Sequence, residues 1–132
     1  MEESRGIPVG EYQAPPEGLA FYVLNNPNPI AVRTDDEFIL GRVTEETSEP
    51  ILDLTEQDGF AFGVSRRHAM VRSIGDRYSM IDLNSSNGSW LDGQILIPTR
   101  PYDLYSGAVI QLGRLKLCVS YVHPSGHKKT RP

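Results

Sequence analysis

The sequence contains one cysteine, Cys118, among 132 residues, and this excludes an intrachain disulfide framework. It has no apolar run near the ~20 residues that a membrane-spanning helix needs, and its polar first residues lack the apolar core of a signal peptide. Basic residues are also few, because 17 Asp and Glu outnumber 13 Lys and Arg and give a net charge of −4. A general nucleic-acid binder usually has a strong basic excess. These absences predict a cytoplasmic protein that binds neither nucleic acid nor a membrane.

Helical periodicity is missing as well, since no window of a dozen residues keeps a 3.6-residue period without Gly or Pro. Short alternating segments occur instead, and Asp92-Gly93 between two of them is typical of a type I′ hairpin turn. Ten short candidate strands at close spacing indicate a β-sandwich or a β-barrel. The candidates are residues 19–24, 30–34, 37–40, 51–54, 68–73, 77–83, 89–91, 94–97, 109–112 and 115–122.

The length fits one domain, which we place at residues 18–122. Residues 1–17 carry three prolines and little apolar periodicity, so they are predicted to be a flexible N-terminal segment. Residues 123–132 are polar and are predicted to be a flexible C-terminal tail.

Three polar segments lie between apolar strands, at residues 41–42, 65–68 and 84–88. Loops at one end of a sandwich cluster, so these segments are expected to converge. Arginine supplies a planar fork of donors, while serine and asparagine supply neutral ones. Such a donor-rich set suits a tetrahedral oxyanion such as phosphate. The donors are Arg42, Ser65, Arg66, Ser86 and Asn87.

The order of these segments resembles the forkhead-associated (FHA) domain. The motifs are GR at 41–42, SRRH at 65–68, and DLNSSNG at 82–88 followed by SWLDG. The resemblance covers about residues 18–122. It implies an all-β fold, a β-sandwich of about eleven short, mostly antiparallel strands (FHA/SMAD-like), with the loops at one end binding phosphothreonine peptides.

The resemblance also implies a role for each matched residue. Arg42 and Ser65 match the family's phosphate contacts, and Ser86 matches a further contact from the second loop. Arg66 matches a residue that reaches the phosphate or the peptide backbone, and Asn87 matches one that binds the peptide main chain.

Three other matched residues, Gly41, His68 and Gly88, are expected to shape the loops rather than contact the ligand. Ala108 follows Gly107 where the family often has Asp, a position that concerns the fold. The stretch from Val43 to Val64 is long and acidic, which leaves the peptide preference beyond the phosphate open.

The predicted function is therefore binding of a phosphothreonine-containing protein, recruited after the action of an upstream Ser/Thr kinase, with no catalysis, cofactor or metal. One alternative is a phosphate-independent scaffold or oligomerisation module on the same fold. Another is a small hydrolase using Ser65 and His68, which is disfavoured because no G-x-S-x-G elbow and no orienting third group are evident.

Three remaining side chains have simpler interpretations. Cys118, between Leu117 and Val119, is predicted to be buried and inert. Trp90 either borders a peptide groove or occupies a hairpin core position, and Arg67 is expected to be solvated or to form a structural ion pair.

Overall fold

The computed structural model describes residues 18–26, 28–33 and 37–121, except the side chain of Arg33. Eleven strands and one short 3₁₀ turn (Thr55–Gln57) occur within them. The strands are β1 (Gly18–Val23), β2 (Ile30–Arg33), β3 (Phe38–Gly41), β4 (Ile51–Asp53), β5 (Arg67–Ile74), β6 (Arg77–Asp82), β7 (Ser89–Leu91), β8 (Gln94–Ile95), β9 (Pro101–Leu104), β10 (Val109–Leu112) and β11 (Leu115–Tyr121).

The strands form two sheets packed face to face. One sheet has the order β2-β1-β11-β10-β7-β8 and the other the order β4-β3-β5-β6-β9. Only β3 and β4 pair in parallel, and every other pair is antiparallel. The predicted all-β sandwich of about eleven mostly antiparallel strands is confirmed, and the barrel alternative is wrong.

The core lies between the sheets and follows the two-residue alternation of the strands. In β11, Leu115, Leu117 and Val119 are buried, whereas the side chains between them face outward. Aromatic rings join the two layers: Phe21 and Phe38 meet edge to face with their centroids 6.1 Å apart.

The same alternation corrects the expectation for Cys118. Its side chain is half-buried on the outer face of the six-stranded sheet, because its neighbours Leu117 and Val119 occupy the inward positions. Burial, together with the nearby carboxylate of Asp92, raises the pKa of this thiol.

All ten candidate strands occur, two with unchanged ends and the others with ends that differ by at most two residues. The sequence reading missed β9, which begins with Pro101 and pairs with β6 at the edge of its sheet, where a proline costs no ladder hydrogen bond. The turn prediction is confirmed, since Asp92 and Gly93 both have positive φ, 49° and 85°.

The predicted segments 1–17 and 123–132 lie outside the described residues. Among the described residues, no helical segment has the length and hydrophobicity of a transmembrane helix. The loops that follow β3, precede β5 and connect β6 to β7 lie at one end of the sandwich, where hydrogen bonds join them to one another.

Candidate functional site

Gly41 brings the end of β3 against the loop that precedes β5. A Cβ atom at this position would lie 1.8 Å from the backbone oxygen of Arg66, so no larger residue fits without moving the loop. The next amide, that of Arg42, donates a hydrogen bond to the same oxygen at 3.0 Å. The predicted loop-shaping role of Gly41 thus has a steric basis.

The side chain of Arg42 is held at Nε, while its two terminal nitrogens stay unbonded among the described residues. Its Nε donates to the backbone oxygen of Val64 at 2.7 Å, and its guanidinium carbon lies 5.0 Å from the centroid of the Phe60 ring. Among the described residues, none accepts a hydrogen bond from its two terminal nitrogens. This end can therefore bind an anion through two parallel hydrogen bonds.

Ser65 and Ser86 are brought together although they lie in different loops. The amide of Ser86 donates to Ser65 Oγ at 3.2 Å, and Ser65 Oγ keeps its own proton to donate elsewhere. Both hydroxyls therefore belong to the end of the sandwich that carries Arg42.

His68 is fully buried and braces the two loops from below. The amide of Ser65 donates to His68 Nδ1 at 2.9 Å, so the ring proton sits on Nε2, which donates to the backbone oxygen of Gly88 at 2.8 Å. Burial lowers the pKa of His68 and keeps the ring neutral. With both nitrogens engaged, the ring has no lone pair left to activate the Ser65 hydroxyl.

A buried carboxylate, Asp82, organises the β6–β7 turn. It accepts hydrogen bonds from Ser85 Oγ at 2.6 Å, from the Ser85 amide at 3.1 Å and from Ser89 Oγ at 2.5 Å. Burial opposes its ionisation, but these bonds outweigh it and lower the pKa of Asp82. Ser85 Oγ in turn accepts the amide of Gly88 at 3.0 Å, and Gly88 has a φ of +89° that suits glycine.

Sequence reasoning missed Asp82, Ser85 and Ser89 as site-forming residues, although a signal was present. The alternation of β6 places Asp82 on the same face as Tyr78 and Met80, which are buried. A carboxylate on a core-facing position needs partners, and the serines at positions 85 and 89 provide them.

Asn87 links the β6–β7 turn to the segment before β5. Its Nδ2 donates to the backbone oxygen of Gly63 at 2.9 Å, and the residue is exposed. This bond uses one of the two amide protons, so the second proton and Oδ1 are available to a ligand's main chain.

Arg66 and Arg67 differ despite being adjacent. Arg66 is exposed, and no carboxylate of the described residues forms an ion pair with it. Arg67 binds both carboxylate oxygens of Glu49, at 2.7 and 2.9 Å, which confirms the expected structural pair. Arg66 is therefore the one of the two that is free to meet a ligand.

Two acidic residues of the 43–64 stretch have structural partners. Glu49 holds Arg67, and this hydrogen bond lowers the pKa of Glu49. Asp53 Oδ1 accepts from the Val43 amide at 3.0 Å and from Thr55 Oγ1 at 2.6 Å. The other acidic side chains of this stretch are exposed: Glu45, Glu46, Glu56 and Asp58.

Trp90 is half-buried on β7, and its ring lies close to the turn. A Cβ atom on Gly88 would lie 3.1 Å from Trp90 Cη2 and 3.4 Å from Ile95 Cδ1. Trp90 and Ile95 thus border the turn that carries Asn87, from the outer face of the sheet.

A family model described as FHA domain matches residues 38–113. The oxoglutarate dehydrogenase inhibitor of Corynebacterium jeikeium is 33% identical over 104 residues, which cover 77% of this chain and 65% of that protein. This chain thus spans just under two thirds of that relative's length.

Solved structures show the same likeness. One, from a study of phosphothreonine-dependent FHA domain interactions, is 27% identical with a TM-score of 0.57 over 78% of this chain and 95% of the other. Another, the FhaA FHA domain complexed with the intracellular domain of Rv3910, is 26% identical with a TM-score of 0.56 over 76% and 98%.

Proposed function

The chain belongs to the FHA-domain family, a family of interaction modules, and from this premise we propose that it binds phosphothreonine on a partner protein. The observation that carries the proposal is the open guanidinium end of Arg42, which lies at the same end of the sandwich as the linked Ser65 and Ser86. These groups are donors, and phosphate offers three acceptor oxygens and a charge of about −1.5 to −2.

In the proposed complex, Arg42 binds the phosphate through its two terminal nitrogens, and the hydroxyls of Ser65 and Ser86 add one hydrogen bond each. Each such bond contributes roughly 1.5–3 kcal/mol before the cost of ordering the peptide. A net of about −8 kcal/mol corresponds to micromolar affinity. Loss of the phosphate removes most of this binding free energy, so the domain binds its partner only when the partner is phosphorylated.

The rest of the peptide is proposed to meet Asn87 and Arg66. Asn87 offers its free amide proton and Oδ1 to the peptide main chain, and exposed Arg66 reaches the phosphate or the backbone. The exposed acidic side chains of the 43–64 stretch are proposed to favour basic residues beside the phosphothreonine, an effect that salt screens beyond about 8 Å.

Discrimination between phosphothreonine and phosphoserine is proposed to be modest if burial alone supplies it. One buried methyl group contributes about 0.8 kcal/mol, or about fourfold in affinity. A larger ratio requires that the site also use the restricted rotamers of the β-branched side chain.

We place this activity in Ser/Thr-kinase signalling in the cytoplasm, with the domain over residues 18–122 recruiting a protein phosphorylated by the kinase. Catalysis is not part of the proposal, because His68 uses both ring nitrogens to hold loops and leaves Ser65 without a base.

The test is a calorimetric titration with a degenerate phosphothreonine peptide library and its unphosphorylated twin. We expect micromolar binding that Arg42→Ala weakens by at least about 30-fold, the effect of about 2 kcal/mol. Arg72→Ala is the matched control, because Arg72 is exposed and pairs with Glu37 away from the site.

Equal binding of both libraries, or binding unaffected by Arg42→Ala, would overturn the proposal. The phosphate-independent scaffold or oligomerisation module would then be favoured, and sedimentation of the protein alone would show whether the partner is a second copy.

A further inference from the structure

The segment 58–63 carries two aromatic rings that the core does not use. Phe60 is 76% exposed and Phe62 is 38% exposed. The backbone around them is tied by hydrogen bonds from Phe62 N to the Asp58 oxygen, from Gly63 N to the Phe60 oxygen and from Val64 N to the Gly59 oxygen, at 2.8–3.1 Å. The Phe60 ring is therefore presented to solvent by a hydrogen-bonded turn.

This turn packs directly against the side chain of Arg42. The Phe60 ring centroid lies 5.0 Å from the guanidinium carbon, and a Cβ atom on Gly59 would lie 3.5 Å from Arg42 Cγ. A cation over an aromatic ring is attracted to its face, so Arg42 helps to fix the ring and the ring helps to fix Arg42.

The distance from this ring to a bound phosphate can be bounded. A phosphate held by two hydrogen bonds places its phosphorus about 4 Å from the guanidinium carbon. Successive residues of an extended peptide advance by about 3.3 Å. The ring therefore lies within reach of the side chains one or two residues from the phosphothreonine.

We propose that Phe60 is a specificity-determining residue that contacts a large apolar side chain of the bound phosphopeptide, one or two residues from the phosphothreonine. This inference rests on the proposed function and adds a sequence preference to it. The occupant is apolar because the ring surface that Arg42 leaves uncovered is hydrocarbon, and covering it with an apolar group removes both from water. Exposed Asp58, in the same turn, disfavours an acidic residue there.

The size of the preference follows from the area that such a contact removes from water. Each buried methylene contributes about fourfold in affinity. A leucine that covers part of the ring is therefore expected to bind about three- to tenfold more tightly than an alanine at the same peptide position.

The experiment titrates four proteins with phosphothreonine peptides. Each peptide carries leucine, alanine, lysine or glutamate at a single position, which is one or two residues before or after the phosphothreonine. The proteins are the full chain, Phe60→Ala, Phe60→Leu, and Phe62→Ala as a matched control from the same turn. Thermal unfolding of each variant confirms that it folds, as expected for exposed side chains.

We expect the full chain to prefer leucine over alanine at one of these positions. Phe60→Ala should abolish the preference while still binding the alanine peptide, Phe60→Leu should retain part of it, and Phe62→Ala should retain it fully. The inference is overturned if the full chain shows no apolar preference, or if Phe60→Ala weakens all peptides equally, since the ring would then only position Arg42. Failure to bind any phosphopeptide would instead overturn the proposed function, and this inference with it.

Discussion

Arg42 can present its terminal nitrogens to a ligand because neighbouring groups hold the rest of its side chain. The Val64 oxygen accepts a hydrogen bond from Arg42 Nε, and Phe60 packs against the guanidinium. A side chain restrained in this way loses less rotamer freedom on binding than a solvated arginine does. Arg42 is thus restrained at Nε and at the face of its guanidinium, while its two terminal nitrogens stay available to a ligand.

Gly41 packs so closely against the loop before β5 that even a methyl group there should disturb the site. In Gly41→Ala the new Cβ would overlap the Arg66 oxygen, so β3 and the loop before β5 must separate. We expect a destabilisation of about 2–3 kcal/mol and a loss of phosphopeptide affinity of at least about tenfold. Chemical denaturation and calorimetry measure the two effects.

Gly75→Ala is the control for this substitution. Gly75 has a φ of +62° but open space around its Cβ position, so alanine there costs only the backbone strain, about 1 kcal/mol, and should leave affinity unchanged. Similar losses of affinity in the two variants would contradict the steric account of Gly41.

The β6–β7 turn depends on a side chain at the end of β6. Asp82 belongs to β6, yet its carboxylate holds Ser85 in the turn and Ser89 at the start of β7. The turn that carries Ser86 and Asn87 is therefore held from the core side by the Asp82 carboxylate.

Asp82→Asn tests this dependence. An amide keeps one acceptor oxygen but replaces the other with an NH2 group, which would face a donor such as the Ser85 amide, so we expect a loss of about 2–3 kcal/mol in the free energy of unfolding. Phosphopeptide affinity should fall several-fold, because Ser86 and Asn87 lose their fixed positions. Denaturant titration and calorimetry measure both.

Asp103→Asn serves as the comparison, because Asp103 is exposed and its ion pair with Arg77 is long, at 3.8 Å. An Asp82→Asn variant as stable as Asp103→Asn would show that the network does not organise the turn.

Element positions illustrate what a sequence pattern can and cannot predict. The alternation and turn residues predicted ten strands, because these signals are local. Strand β9 was missed because a proline is typical of a loop. Only the position of β9 at the edge of the five-stranded sheet explains why Pro101 fits a strand. The 58–63 turn was also missed as a structural unit, although two phenylalanines in a polar loop are unusual enough to mark it.

His68 makes the stability of the whole domain depend on pH, because this buried, neutral ring holds together the loops that carry Ser65 and Gly88. Burial lowers the pKa of His68 in the folded protein below its usual 6.5. At a pH between the lowered pKa and 6.5, the unfolded chain therefore binds a proton that the folded chain does not. The free energy of unfolding should therefore fall as the pH drops below about 6.5, by up to about 1.4 kcal/mol per pH unit.

Asp82 makes the free energy of unfolding depend on pH in a second, more acidic range. Hydrogen bonds from Ser85 and Ser89 overcome the effect of burial and lower the pKa of Asp82, so its contribution is present above about pH 4 and is lost only below it. Denaturation as a function of pH should show the two limbs in these two windows.

The histidine limb is assigned by substitution. Measured in a background carrying His123→Gln and His127→Gln, it should persist, and adding His68→Gln should remove it while lowering stability overall. A profile that stays flat between pH 5 and 7 in the background protein would refute the role of His68.

Local sequence patterns are enough to predict an all-β chain with ten of its eleven strands, and the short motifs predict the family and with it the sandwich, because alternation, turn residues and motifs lie in neighbouring positions. The folded structure was needed to show which nitrogen of His68 carries the proton, why Gly41 admits no side chain and that Phe60 lies beside Arg42. Each of these depends on contacts between segments distant in the chain, such as the 22 residues from Arg42 to Val64 or the 20 from His68 to Gly88. The packing of two sheets sets such distances, and no local pattern encodes them.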